Sequence, residues 1–170
     1  MPLNGTLLAV SAFAELTSAL DLGTGSAKQS LSRSMSLSSG TAAGKADRVF
    51  SDRRTLAASG TEDLDLAGVL LDAFGATITF ARVKGLIIAA AAGNTNNVVV
   101  GAAATNPWAT LLSATGTVTL RPGAFVAVGT GAADATGYAV TAGTGDLLKV
   151  ANSAAGTSVT YDVHIIGASA

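Results

Sequence analysis

From residue 76 to its end the chain is a succession of short apolar runs, alternating or β-branched, each closed off by Gly, Asn, Thr or Ala. Ala76–Phe80, Asn97–Gly101, Thr117–Leu120, Phe125–Val128 and Thr157–Ile166 are the clearest of them. Runs of this length are too short for helices that bury a stripe, and their period of two suits strands with one face covered. Turn signals fall every eight to fifteen residues or so, which fits an antiparallel sandwich better than an alternating βα scheme. The expected fold is therefore all-β: an antiparallel β-sandwich or jelly-roll-like domain over residues 47–170, preceded by an N-terminal arm over residues 1–46.

The arm reads differently. Phe13, Leu16 and Leu20 stand at helical spacing after Ser11, a possible N-cap, so a short helix is expected over Ser11–Leu22, ended by Gly23-Thr24-Gly25-Ser26. Leu31 to Ser38 then alternates strictly, with Arg33 as the one charged residue among Leu31, Met35 and Leu37. That pattern calls for an extended segment with one covered face, either an arm pairing with a neighbouring subunit or an edge strand of the same sandwich. In the body, Arg48–Thr55 and Thr61–Leu66 read as extended. Ile78, Phe80, Val83 and Leu86 do not share one parity, so a long strand over 76–88 needs a bulge between Ala81 and Gly85. Asn94–Asn97 signals a turn, expected to join the runs on either side as a hairpin.

Composition restricts what such a fold can do. Of 170 residues, 49% are hydrophobic and only 12% charged, about half the usual share of charge. A lone monomer with so few surface charges is poorly protected against association, so part of its surface is expected to lie against copies of itself or another protein. The net charge is −1, without the basic excess of nucleic-acid binders. The absence of cysteine removes disulfides and thiolate metal sites. The longest apolar stretch, Leu86–Ala92, is far short of the roughly 20 residues a membrane helix needs, so no membrane partner is expected. No Lys or Arg precedes the apolar run Leu7–Phe13, so a cleaved signal peptide is not expected.

Groups able to do chemistry are few. The single histidine, His164, alternates with Val163 and Ile165 and reads as a solvent-facing or interface residue; no Gly-x-Ser-x-Gly turn accompanies it. Glu62, Asp63 and Asp65 lie in a Glu-Asp-Leu-Asp-Leu pattern that lacks the Asp-x-Asp-x-Asp-Gly form of a calcium loop. They read as a solvated strand end or as partners for Arg53 and Arg54. The Gly-rich strings at Gly23, Gly40 and Gly129 miss the spacing of phosphate loops and read as plain loops. Neither a cofactor, a metal nor a catalytic residue is expected. Lys45, Arg48, Arg53 and Arg54, interrupted by Asp47 and Asp52, suit an inter-subunit ion-pair strip. Trp108, in a loop after Pro107, suits a plug for the end of the core or an interface anchor.

Residues Ala46–Leu56, Glu62–Gly68, Asp72–Gly75, Val83–Leu86, Asn94–Asn96 with Val100-Gly101, Leu120–Gly123 and Tyr161–Gly167 together resemble a family of small structural proteins of tailed bacteriophages. The likeness covers roughly residues 30–170 and rests on turn and strand signatures. It implies a virion component: a decoration or cement protein on the head, or a part of the neck or tail. Implied partners are further copies of the chain, as dimer or trimer, and the major capsid protein. Candidate interface residues are Leu31, Arg33, Met35 and Leu37 in the arm, with Arg48, Arg53, Arg54 and Trp108 in the body. A carbohydrate- or receptor-binding tail piece, with Trp108 beside the Asn94–Asn97 loop at the binding edge, is the alternative.

Overall fold

The computed structural model describes residues 3–170, and it is mostly β, with antiparallel sheets and one short helix. The chain begins with a long hairpin, β1 (Thr6–Leu20) and β2 (Gly23–Ser39), paired in unbroken register from Thr6↔Leu37 to Leu20↔Gly23. A short β3 (Lys45–Ala46) runs parallel to the end of β2. Nine further strands make the body: β4 (Arg48–Leu56), β5 (Thr61–Asp65), β6 (Arg82–Ala90), β7 (Val98–Gly101), β8 (Thr117–Leu120), β9 (Phe125–Gly129), β10 (Tyr138–Ala139), β11 (Leu147–Asn152) and β12 (Val159–Ala168). The helix α1 is one turn, Ala109–Leu112.

The body strands form two antiparallel sheets. In the first, β12 lies between β4 and β6, and β9 and β10 pair with the far side of β6; in the second the order is β5-β11-β7-β8. One hydrophobic core joins them. Phe50, Leu86, Ile88, Tyr161, Val163 and Ile165 of the first sheet are buried with Leu64, Val98, Val100, Leu120, Leu148 and Val150 of the second. These residues follow the period of two that marked the strands in the sequence, so the physical cause of the fold is the one the pattern announced. A polar bridge spans the sheets at one edge. The Tyr161 hydroxyl donates to Glu62 Oε1 at 2.7 Å, and Arg54 donates to the other oxygen of Glu62 at 2.5 Å while its guanidinium lies 5.6 Å from the centre of the Phe50 ring. Burial, then the bond to Glu62, pushes the Tyr161 phenol far above its ordinary value.

Three local expectations need correction. Residues 11–22 are not helical: all but the turn at Asp21-Leu22 belong to β1, and Gly23–Ser26 begin β2 instead of forming a loop. The even-numbered residues Leu8, Val10, Ala12, Ala14, Leu16 and Leu20 share one face of that strand. Their period of two is hidden by small residues and by Leu7 and Phe13 on the opposite face. The Asn94–Asn97 turn does not make a hairpin, because β6 and β7 belong to different sheets. Its asparagines bind neighbouring strands instead: Asn94 donates to Thr160 O at 2.8 Å and accepts from Thr160 N at 2.8 Å. Finally, residues 76–80 stay outside β6, whose bulge at Lys84 falls within the expected interval, where Ile166 pairs with Gly85 but Gly167 with Val83.

Candidate interaction surface

Antiparallel pairing puts directly opposed residues on the same face, so the hairpin register defines two faces. One carries Leu8/Met35, Val10/Arg33, Ala12/Leu31, Ala14/Gln29, Leu16/Ala27 and Leu20/Gly23. The other carries Ala9/Ser34, Ser11/Ser32, Phe13/Ser30, Glu15/Lys28 and Thr17/Ser26, with a hydrogen bond from the Ser26 hydroxyl to Glu15. The hairpin is therefore an amphipathic ribbon about 50 Å long at ~3.4 Å per residue.

Its base is anchored on the outer face of the first body sheet. Register sets that face in rows, the first of them Val49, Ile166, Gly85 and Gly129. The two glycines leave a hollow that Leu8 and Met35 fill: a Cβ on Gly85 would stand 3.1 Å from Leu8 Cδ1 and 3.2 Å from Met35 Cε. Leu8, Met35, Leu37, Ala46 and Ile166 form a second buried cluster there. This explains why Ile166, next to the inward-facing Ile165, is buried as well. The return from the arm is held by Lys84, whose buried ammonium donates to Ala42 O and Lys45 O, each at 2.7 Å. Burial lowers its pKa from the ordinary lysine value.

Beyond this anchor the arm touches the body little. Residues 9–34 are exposed apart from the half-buried Gly25. On the apolar face Leu16 and Leu20 keep 62% and 64% of their surface in solvent and Leu31 57%. Where Val10, Ala12, Leu31 and Arg33 rise off the body opposite Ala127 and Gly129, they bound a cleft of 420 Å³. Isolated two-stranded ribbons are marginal in water, and an exposed apolar face of this length is unusual on a monomer.

The residues singled out in the sequence separate into three groups. Leu31 and Arg33 lie on the exposed apolar face of the arm, and Arg33 donates to the neighbouring Ser32 O at 2.9 Å. Met35 and Leu37, on the same face, are buried between arm and body within one chain. In the body, Arg48 pairs with Asp47 at 3.0 Å, Arg53 with Asp162 at 2.6 Å, and Arg54 with Asp52 and Glu62. The three arginines of the basic strip are thus paired within the chain, and the bond from Arg53 holds the Asp162 carboxyl below its ordinary value. Trp108 is a core plug: it is 4% exposed, donates to Ala139 O at 2.9 Å and meets Tyr138 edge to face. Sequence reasoning missed the outer half of the arm, Val10 to Leu20, where the signal was the even-parity apolar run.

One grouping resembles a catalytic set by residue type. Ser51 stands opposite His164 in register, and Asp162 lies two residues away on the same face. Asp162 is taken up by Arg53 through two bonds of 2.6 and 2.8 Å, and Ser51 lies in mid-strand without the sharp turn that exposes a nucleophile. Burial alone lowers the His164 pKa. Among the described residues no group of three or more His, Asp or Glu is placed to hold a metal. No family model, no curated protein and no solved structure matches the chain.

Proposed function

We propose that this chain is a structural protein of a tailed-bacteriophage virion, a homo-oligomeric decoration or cement protein that binds the head lattice without catalysing a reaction. The observation that carries the reading is the arm: a long ribbon, anchored at its base, whose apolar face continues into solvent where the body ends. A cement protein needs such a part, because its task is to bury surface against neighbours while its own core stays closed. The likeness in residues 30–170 to phage structural proteins supports the same reading. We take the body to be a β-sandwich, on the ground that its two sheets share one core, with jelly-roll-like connections as the finer reading. The carbohydrate-binding alternative loses its stacking platform, since the Trp108 ring lies inside the core.

The apolar face of the arm is read as the surface laid against the particle. Mass spectrometry of purified particles should find the chain in many copies, and its absence from them would overturn the reading. Particles lacking the chain should take up the added protein, and should take up Leu16→Ser/Leu20→Ser, altered only on that face, several-fold less.

A further inference from the structure

We infer that the free edge of β1 is a self-association site, pairing with β1 of a second copy about a two-fold axis that passes by Phe13. The inference rests on the reading of the chain as a self-assembling structural protein, and it adds which surface joins the copies and in what register. Strand edges in monomeric proteins are blunted by charge, proline or bulges, because an open edge recruits another strand. The body obeys this rule or keeps its edges short: β4 carries Arg48, Asp52, Arg53 and Arg54, β5 carries Glu62, Asp63 and Asp65, and β8 and β9 are only 4 and 5 residues long. The arm does not: β1 is Thr-Leu-Leu-Ala-Val-Ser-Ala-Phe-Ala-Glu-Leu-Thr-Ser-Ala-Leu, with no Lys, Arg, Pro or Gly and a single charge at Glu15. β1 pairs only with β2 among the described residues, so its other side is free.

Geometry limits how two such edges meet. A two-fold antiparallel pair centred on a residue keeps even positions opposite even positions, so apolar face joins apolar face; a pair centred between residues mixes the faces. Centring on Glu15 would oppose two carboxylates. β1 spans Thr6–Leu20, and the register that pairs it end to end is centred on Phe13. In that register Ala12 faces Ala14 of the second copy, Val10 faces Leu16, and Glu15 faces the neutral Ser11. Phe13, an aromatic 66% exposed on the otherwise Ser-rich face, then stacks against its own copy. Pairing along the strand offers up to about fifteen backbone hydrogen bonds, within the range of an ordinary protein interface.

The test is a charge swap at the two-fold, read by light scattering. The wild-type chain should form a species of twice the 16.6 kDa chain mass at micromolar concentration. Phe13→Glu and Phe13→Lys should each raise the dimer dissociation constant roughly tenfold or more, and mixing the two should restore the dimer. Because Phe13 is exposed, both variants should keep the wild-type circular dichroism spectrum. The chain has no cysteine, so Phe13→Cys reports the centre directly. Opposed residues lie about 4.5–5.5 Å apart at Cα, within disulfide range, whereas Leu22→Cys at the arm tip should not cross-link to itself. A monomeric wild type, a Phe13→Glu variant that dimerises like wild type, or equal cross-linking of the two cysteine variants would overturn the inference. None of these outcomes depends on whether the protein is found in particles, so the site and the proposed function fail separately.

Discussion

The body and the arm are both made of β-strands, yet they treat apolar surface in opposite ways. In the body, Val159, Tyr161, Val163 and Ile165 turn inward onto a second sheet, and the edge strand β4 is lined with ion pairs. In the arm, Leu16, Leu20 and Leu31 share a face with nothing over them, and β1 has an unguarded edge. The body completes itself. Within the chain the arm is held by strand pairing and by the contacts at its base around Leu8, Met35 and Lys84; in the proposed function another chain would cover the rest. The proposed function gives assembly to the arm and leaves the closed core to the body.

The widest gap between the regions should appear in core truncation. Ile165→Ala removes a fully buried side chain from the central strand and should cost about 3 kcal/mol in urea unfolding followed by tryptophan fluorescence. Leu16→Ala on the arm should cost less than about 0.5 kcal/mol in the dilute monomer, because its side chain is already in water. Equal costs would erase the distinction.

The anchor can be attacked next. Gly85→Val fills the hollow that receives Leu8 and Met35, where even a Cβ stands 3.1 Å from Leu8. It should cost about 1–3 kcal/mol and free the arm, seen as rapid proteolysis within residues 9–34 while the body survives as a resistant fragment. Co-degradation of arm and body would show that they are one cooperative unit.

The smallest effect belongs to His164. Burial holds its folded-state pKa below the ordinary value, so the unfolded chain binds the extra proton first as pH falls. The stability tied to neutral His164 is complete above about pH 6.5 and is lost progressively as pH drops from there toward the folded-state value. His164→Gln should remove this slope from the melting temperature between about pH 7.5 and 5. A slope unchanged in the variant would assign it to other groups.

The sequence made the body legible because its signals are local. Val98 and Val100, Leu148 and Val150, and Val163 and Ile165 each alternate within one strand, and Asn, Gly and Pro mark where strands stop. Which strands then pair was not legible, because Asn94 looks the same whether it closes a hairpin or, as here, binds Thr160 and sends the chain to the other sheet. The arm misled for a related reason. Phe13, Leu16 and Leu20 fit a helical spacing, and only their pairing with Ser30, Ala27 and Gly23 of the following segment decides that they lie in a strand. Of the candidate surface, Leu31 and Arg33 were legible from alternation. The burial of Trp108, and the glycine hollow that turns Met35 into an anchor, depend on contacts between distant segments.

Hydrogen–deuterium exchange of the full chain, followed by mass spectrometry across protein concentration, tests the division between body and arm most directly. The account predicts that amides of β12 exchange slowly at every concentration, whereas those of residues 10–20 exchange fast when dilute and gain protection as copies associate. Arm amides as slow as those of β12 at the lowest concentration, or arm exchange that does not change with concentration, would contradict it.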